Sequence, residues 1–171
     1  GKPVDNLSMG YLPQYSAIDK KFPISVYDVI LSGLSRKKSL IKKFSDEHHA
    51  QVEEIITHMG LQGLEKKTIG QLSGGQQQML AVARILRTGA KLLLLDEISE
   101  GLAPVIVQKL AEMVVALRKQ GYTIVMVEQN FRFAAPLADR FYVMEHGRIV
   151  EQFDAAQLEQ KMGMLHEYLG V

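Results

Sequence analysis

Two short stretches of this sequence carry residue types that could bind an anion and hold a metal ion. The first, Leu72-Ser73-Gly74-Gly75-Gln76, is a polar turn with two adjacent glycines that leads into a helical stretch at 77–87. Paired glycines let the backbone approach a ligand closely, and the start of a helix presents unpaired N–H groups and the positive end of the helix dipole. Ser73 adds a hydroxyl donor. The stretch predicts half of a phosphate site, although a plain helix cap is the commoner role of such a turn.

The second stretch, Leu92-Leu93-Leu94-Leu95-Asp96-Glu97, is an apolar run that ends in two carboxylates. Four consecutive leucines predict a buried strand, but burial does not explain the two acids at its end. Because parallel sheets bind ligands beyond the carboxyl ends of their strands, we expect Asp96 and Glu97 to face a ligand crevice. One acid can hold Mg²⁺, and the other can orient or deprotonate the attacking water in phosphoryl transfer.

The elements around these stretches alternate between strands and helices, which predicts a mostly parallel sheet covered by helices on both faces. Gln14 and Gln129 each follow a predicted strand, and we expect Gln129 to lie at the same crevice edge as Glu97. The pattern predicts strands at 9–12, 92–95 and 123–127, helices at 26–34, 46–59, 77–87, 104–120 and 131–138, a hairpin at 141–151 with its turn at His146-Gly147, and a final helical region at 155–169.

Composition excludes several classes of function. The chain has 171 residues, 47% apolar and 23% charged, which suffices for one domain with a proper core. A net charge of +1 gives no reason to expect nucleic acid as a partner, and the basic stretch 35–44 lacks the interleaved aromatic residues of a nucleic-acid platform. The absence of cysteine excludes disulfides and cysteine metal sites. We also expect no secretory leader and no span across a bilayer.

The motifs together resemble the nucleotide-binding subunit of an ABC transporter. They are LSGGQ at 72–76, LLLLDE at 92–97 and Tyr11-Leu12-Pro13-Gln14 upstream, and the resemblance covers nearly the whole chain. It implies an α/β fold of the P-loop NTPase type with an additional α-helical subdomain that carries the signature turn, 72–76. It divides the chain into a residual core strand and glutamine loop (1–14), the helical subdomain (15–90), the catalytic core with the Walker B and switch strands (91–153) and C-terminal helices (154–171).

The resemblance also implies cofactors, roles and partners. ATP and Mg²⁺ are the expected cofactors, with Asp96 and Gln14 near the metal ion, Glu97 as the general base, and Gln14 and Gln129 touching the attacking water and the γ-phosphate. The signature turn would reach the γ-phosphate of a nucleotide held by a second ABC ATPase subunit, in a homo- or heterodimer. Transmembrane permease subunits would complete the assembly, with this chain peripheral on the cytoplasmic face of the membrane.

One departure from the family affects the expected activity most. No G-x-x-x-x-G-K-[ST] motif occurs in the sequence, and that loop is what holds the β- and γ-phosphates in an ABC ATPase. We therefore expect the N-terminal part of the core to be missing, with an apolar surface and an unpaired sheet edge left behind. The chain would then be inactive alone. The alternative is a non-catalytic fragment or interaction module that supplies the signature turn in trans; a weaker one is a soluble ABC protein acting on nucleic acid or ribosomes.

Two smaller departures from the family pattern indicate which subfamily the chain resembles. Gln129 stands where the family usually has histidine, and Ala103 stands where it usually has aspartate, a pattern that resembles branched-chain amino acid importer ATPases. The front of the chain, 11–14 and 22–29, is instead similar to zinc or manganese importer ATPases. A chimera with a crossover near the signature turn would explain both resemblances.

Overall fold

The structure is a computed structural model that describes residues 8–14, 22–33 and 44–169. Residues 1–7 of the expected segment 1–14, and residues 35–43 of the basic stretch, lie outside the described residues. The chain forms two compact units, Gly1–Val127 and Glu128–Val171. Within the described ranges, no helix combines the length and the apolar character needed to cross a bilayer.

The first unit is built on a parallel sheet of three strands in the order β1-β2-β3. Leu12 pairs with Leu95 of the central strand, and Asp96 pairs with Val127, so all three strands end at one edge, here called the carboxyl edge. The bounds of its elements are β1 (Met9–Leu12), α1 (Val26–Ser32), α2 (Asp46–His58), a 3₁₀ turn (Ile69–Gln71), α3 (Gly74–Leu86), β2 (Leu92–Asp96), α4 (Pro104–Lys119) and β3 (Thr123–Val127).

The strands and helices of this unit were predicted, with one correction that concerns the candidate site. Helix α3 begins at Gly74, whereas the sequence pattern predicted a turn through Gln76 and a helix from residue 77. Ser73 therefore caps the helix directly, and both glycines belong to its first turn. At its far end, Arg87 is 7% exposed and donates from Nη1 to Gln51 Oε1 of α2 (2.5 Å), which ties α3 to the helical segment before it.

The two faces of the sheet differ in burial. Leu93 and Leu95 are almost completely buried, and a Cβ added at Gly10 on that face would collide with Ile85 of α3.

The opposite face of the sheet is exposed. Because paired residues of parallel strands share a face, Tyr11 and Val125 lie on this other face. The relative exposures there are 47–56% at Met9, Tyr11, Val125 and Val127. Within the described residues the helices thus cover one face of the sheet, which corrects the expectation of helices on both faces, and the expected apolar surface is present on the other face.

The second unit is a hairpin packed with short helices. Its elements are α5 (Phe131–Ala134), β4 (Arg140–Glu145), β5 (Arg148–Asp154), a 3₁₀ turn (Ala155–Gln157) and α6 (Leu158–Leu169). The predicted two-residue turn is confirmed, since His146 and Gly147 both have positive φ, 47° and 75°, as a hairpin of this type requires. Val143, Phe153 and Leu165 form the core of this unit.

Candidate functional site

The end of β2 has an unusual backbone conformation at Glu97. Its φ is +47°, in the left-handed region that non-glycine residues seldom adopt and that costs about 1–3 kcal/mol. The backbone N–H of Glu97 donates to the carbonyl of Val127 (2.8 Å), which fixes this residue to the end of β3. The strand therefore stops at Asp96, and Glu97 is held at the carboxyl edge in a conformation that its neighbours must stabilise.

Gln14, which follows β1, meets this acid across the carboxyl edge. Its Nε2 donates to Glu97 Oε2 (2.5 Å) and to Glu100 Oε2 (2.7 Å). Gln14 and Glu97 are 83 positions apart in the sequence and become neighbours because β1 and β2 are adjacent and parallel. The structure thus brings together two of the residues that the sequence predicted for the site.

Asp96 is held by a residue that the sequence analysis had not assigned to the site. Tyr11 Oη donates to Asp96 Oδ2 (3.2 Å), and this hydrogen bond is the main cause that raises the pKa of Tyr11. Tyr11 pairs with Leu94, two residues before Asp96, in the strand register. This register is the information from which the contact of Tyr11 with Asp96 could have been predicted.

The chemistry of this edge suits Mg²⁺. The carboxylate of Asp96 and the amide oxygen of Gln14 are hard oxygen donors of the kind that Mg²⁺ prefers. The described residues contain no group of three or more His, Cys, Asp or Glu that could hold a metal ion by themselves. A Mg²⁺ ion here would therefore take its remaining ligands from phosphate oxygens and water, as it does in many nucleotide sites.

The signature turn is stabilised by a reciprocal pair of hydrogen bonds. The N–H of Gln76 donates to Ser73 Oγ (3.3 Å), and the N–H of Ser73 donates to Gln76 Oε1 (3.0 Å), which together form a capping box. Gln77 Nε2 donates to the carbonyls of Ile69 (3.2 Å) and Leu72 (3.0 Å), and the first of these bonds joins the preceding 3₁₀ turn to α3. Ser73 is exposed and its hydroxyl oxygen accepts in this arrangement, so the capping box does not use the hydroxyl proton.

The structure gives the second glycine of this turn a different role from the one expected. Both glycines are helical, so neither is required for an unusual φ. A Cβ at Gly75 would lie 2.6 Å from Cγ2 of Ile106 in α4, whereas a Cβ at Gly74 would lie 3.8 Å from Leu102 Cδ2, an ordinary contact. Gly75 therefore permits close packing of α3 on α4, next to the loop that follows Glu97.

This difference between the glycines predicts a difference in stability. We expect Gly75→Ala to lower the free energy of unfolding by about 1–3 kcal/mol, because Ile106 must move out of a packed position. Gly74→Ala is the matched control: alanine is the better helix former and meets no clash there, so this variant should leave the free energy of unfolding unchanged or raise it by less than about 1 kcal/mol. Urea denaturation of both variants measures the two values, and equal losses would contradict the packing role of Gly75.

The positions of Gln129 and Glu100 also differ in how far the sequence predicted them. Gln129 follows β3 by two residues but belongs to the second unit, so its predicted position beside Glu97 stays a prediction. The sequence did not predict Glu100 as a site residue. Its hydrogen bond with Gln14 is visible only in the structure, because the sequence around a single acid in a loop does not indicate which residue it contacts.

Comparison with known proteins finds a match to the sequence model of the family described as ABC transporter, over residues 4–100. Over 126 residues the chain is 43% identical to BraG of Pseudomonas aeruginosa, a high-affinity branched-chain amino acid transport ATP-binding protein; the match covers 73% of this chain and 54% of BraG. Over 160 residues it is 29% identical to MntB of Listeria monocytogenes, a manganese transport system ATP-binding protein, which covers 91% of this chain and 67% of MntB. The chain thus spans about half to two thirds of the length of these relatives.

Solved structures show the same arrangement of elements. The structure of cbiO1 from Clostridium perfringens, part of the ABC transporter complex cbiONQ, matches with a TM-score of 0.76 at 26% identity and covers 94% of this chain and 62% of that one. A nucleotide-free ATP-binding cassette from an ABC transporter matches with a TM-score of 0.75 over 90% of this chain and 65% of that one. At 22% identity this second likeness shows the fold alone. Both matches confirm the predicted fold class.

Proposed function

Because the chain belongs to the ABC transporter family, we propose that it forms part of the ATP-binding and ATP-hydrolysing subunit of an importer. The observation that supports this most is the contact of Gln14 with Glu97 at the carboxyl edge, beside Asp96. This edge offers a carboxylate and an amide oxygen for Mg²⁺ together with a second carboxylate for a water molecule, which is the set of groups that phosphoryl transfer needs.

Three residues of the edge have a proposed role, and so does Gln129 of the second unit. Asp96 and Gln14 hold Mg²⁺, which when bound neutralises charge that develops on the phosphate oxygens. Glu97 accepts a proton from the attacking water, since a carboxylate in hydrogen-bond reach of water acts as a general base. Gln129 donates its side-chain N–H to the γ-phosphate; unlike histidine it cannot carry a proton charge, so its contribution is a neutral hydrogen bond.

The signature turn is proposed to act on a nucleotide bound by another subunit. Ser73 and Gly74 are exposed, and the first turn of α3 directs backbone N–H groups toward an anion. Residues 1–171 contain no G-x-x-x-x-G-K-[ST] motif, so the loop that grips the β- and γ-phosphates comes from outside these residues, either from further sequence of the same polypeptide or from a partner. The proposed partners are a second ABC ATPase subunit and transmembrane permease subunits, at the cytoplasmic face of the membrane.

Titration of the 171-residue chain with MgATP tests this proposal. We expect no hydrolysis by the chain alone, and hydrolysis once an ABC subunit with an intact phosphate loop is added, accompanied by an increase in particle size in solution. Hydrolysis by the chain alone would contradict the proposed need for an external phosphate loop. The absence of both hydrolysis and complex formation in the mixture would contradict the proposed function itself.

The absence of the phosphate-loop motif favours a second candidate, a non-catalytic module that only supplies the signature turn in trans. In that case Ser73→Ala lowers the turnover of the mixture on the order of 10- to 100-fold, the value of one hydrogen bond to a charged group, while substitution of Glu97 has no effect. If this chain contributes its own hydrolytic edge, both substitutions lower the turnover. The pair of variants therefore separates the two functions.

We propose in addition that the chain has a mixed origin, as the two resemblances of its sequence imply; its relatives include ATP-binding proteins of branched-chain amino acid and of metal transport systems. Separate comparison of residues 1–70 and 71–171 tests this. The first segment should be more similar to metal importer proteins and the second to BraG; the same ranking for both segments would contradict a crossover near the signature turn.

A further inference from the structure

The amide group of Gln14 has two carboxylate partners, and only one of them belongs to the proposed hydrolytic residues. Its single nitrogen, Nε2, lies 2.5 Å from Glu97 Oε2 and 2.7 Å from Glu100 Oε2. An amide NH₂ group has two protons, and ionised carboxylates only accept hydrogen bonds. Both protons of Gln14 are therefore used, and Glu100 takes the second one.

The loop after β2 is built to present both carboxylates on the side of Gln14. The N–H of Glu100 donates to the carbonyl of Glu97 (3.2 Å), which closes a tight turn between the two acids. Glu97 at φ +47° and Gly101 at φ +67° bracket this turn. The left-handed conformation at Glu97 is thus part of the geometry that places Glu100 next to the end of β1.

Two acceptors on one nitrogen define the orientation of the amide. If the Gln14 amide were rotated by 180°, its oxygen would face two carboxylates with no proton between them, which is repulsive. With Glu97 alone, the nitrogen would satisfy one acceptor and the side chain would remain able to turn about that single bond. Glu100 removes this freedom at the cost of bringing a second negative charge close to Glu97.

We infer that Glu100 is a positioning residue that fixes the orientation of the Gln14 amide, with the nitrogen on the two carboxylates and the oxygen left for a cation. The orientation of the amide is inferred from the hydrogen bonds of this chain. Only the binding of Mg²⁺ by the Gln14 oxygen rests on the proposed function. Partners that orient a metal ligand typically change metal affinity 10- to 100-fold when they are substituted, although they do not touch the metal.

Nuclear magnetic resonance of the ¹⁵N-labelled 171-residue chain tests the orientation without nucleotide. The side-chain NH₂ signal of Gln14 is assigned by its loss in Gln14→Ala. We expect Glu100→Ala to move this signal toward the position of a solvent-exposed glutamine, and Glu100→Gln, which keeps an oxygen acceptor, to restore most of the wild-type position. Glu54→Ala, an exposed acid on α2, is the matched control and should leave the signal in place.

Two outcomes overturn the inference: an unchanged Gln14 signal in Glu100→Ala, or an equal movement in Glu54→Ala. Backbone amide signals outside 96–102 show whether each variant is folded. A variant Glu100→Asp, which keeps the charge, replaces Glu100→Ala if the latter unfolds, and should move the Gln14 signal by a smaller amount in the same direction.

Titration with Mn²⁺ alone, as a paramagnetic probe for the Mg²⁺ position, tests the use of the oriented amide. We expect Mn²⁺ to broaden the Gln14 signal of the wild type, and the concentration needed to rise by about 10- to 100-fold in Glu100→Ala and by less in Glu100→Gln. Failure of Mn²⁺ to broaden the wild-type signal would contradict the proposed metal role of Gln14, whereas the position of the signal without metal decides the role of Glu100.

Discussion

Substitution of Glu97 by glutamine lowers kcat for ATP hydrolysis by about 10²- to 10⁴-fold and leaves ATP binding intact, in an assembly in which this chain provides the hydrolytic edge. Glutamine has nearly the shape of glutamate and keeps an oxygen that can accept the hydrogen bond from Gln14 Nε2. It cannot accept a proton from water at neutral pH. The expected loss is therefore in the chemical step, with little change in the fold or in nucleotide affinity.

Single-turnover hydrolysis and nucleotide binding, measured on the same preparation, separate these two quantities. Glu112→Gln is the matched control, because Glu112 is an exposed glutamate on α4 whose partner is Gln108, on the same helix. It should change neither quantity. Hydrolysis by Glu97→Gln at the wild-type single-turnover rate would remove Glu97 from the role of general base, and a parallel loss of ATP binding would indicate a structural role instead.

The sequence predicted a structural feature correctly where a single physical rule determines that feature. Four leucines followed by two acids predict a buried strand that ends at a polar crevice, and β2 ends at Asp96 on the carboxyl edge. The place of Gln14 near these acids was implied by the family resemblance and not by the strand pattern; in the structure it follows from the parallel pairing of β1 with β2. Gln14 lies there in hydrogen-bond contact with Glu97.

The sequence was not informative where the outcome depends on a contact between distant elements. Gly75 was assigned to a turn whose backbone approaches a ligand closely, but the reason for a glycine at this position is Ile106 of α4, 31 positions later. The contact of Glu100 with Gln14 depends on the left-handed backbone of Glu97, which no local pattern predicts for a glutamate. The start of α3 was misplaced by three residues because glycine is a poor helix former, whereas the capping box of Ser73 and Gln76 includes both glycines in the helix.

The four leucines of β2 show the same limit at the level of packing. A continuous apolar run predicts a strand that is buried on both faces, and it does not indicate which leucine is buried more deeply. In the structure Leu93 is fully buried on the face covered by α3, and Leu94 is half-buried on the face that carries exposed Tyr11 and Val125. Two neighbouring residues of the same type therefore have different expected contributions to stability.

Leu93→Ala should lower the free energy of unfolding of the first unit by about 2–5 kcal/mol, the usual cost of removing a fully buried leucine side chain. Its Cδ2 would lie 3.2 Å from a Cβ at Gly10, so the space is closely packed and a cavity would remain after truncation. Leu94→Ala is the matched control in the same strand and should cost less than half as much, because its side chain already contacts solvent.

Hydrogen exchange of the β2 amides under native conditions measures this difference within the first unit, independently of the stability of the second. The protection of these amides should fall much further in Leu93→Ala than in Leu94→Ala. Equal losses in the two variants would mean that both faces of the sheet are packed to the same degree. In that case an element outside the described residues covers the Leu94 face, and the half-exposed surface at Tyr11 and Val125 is buried in the working protein.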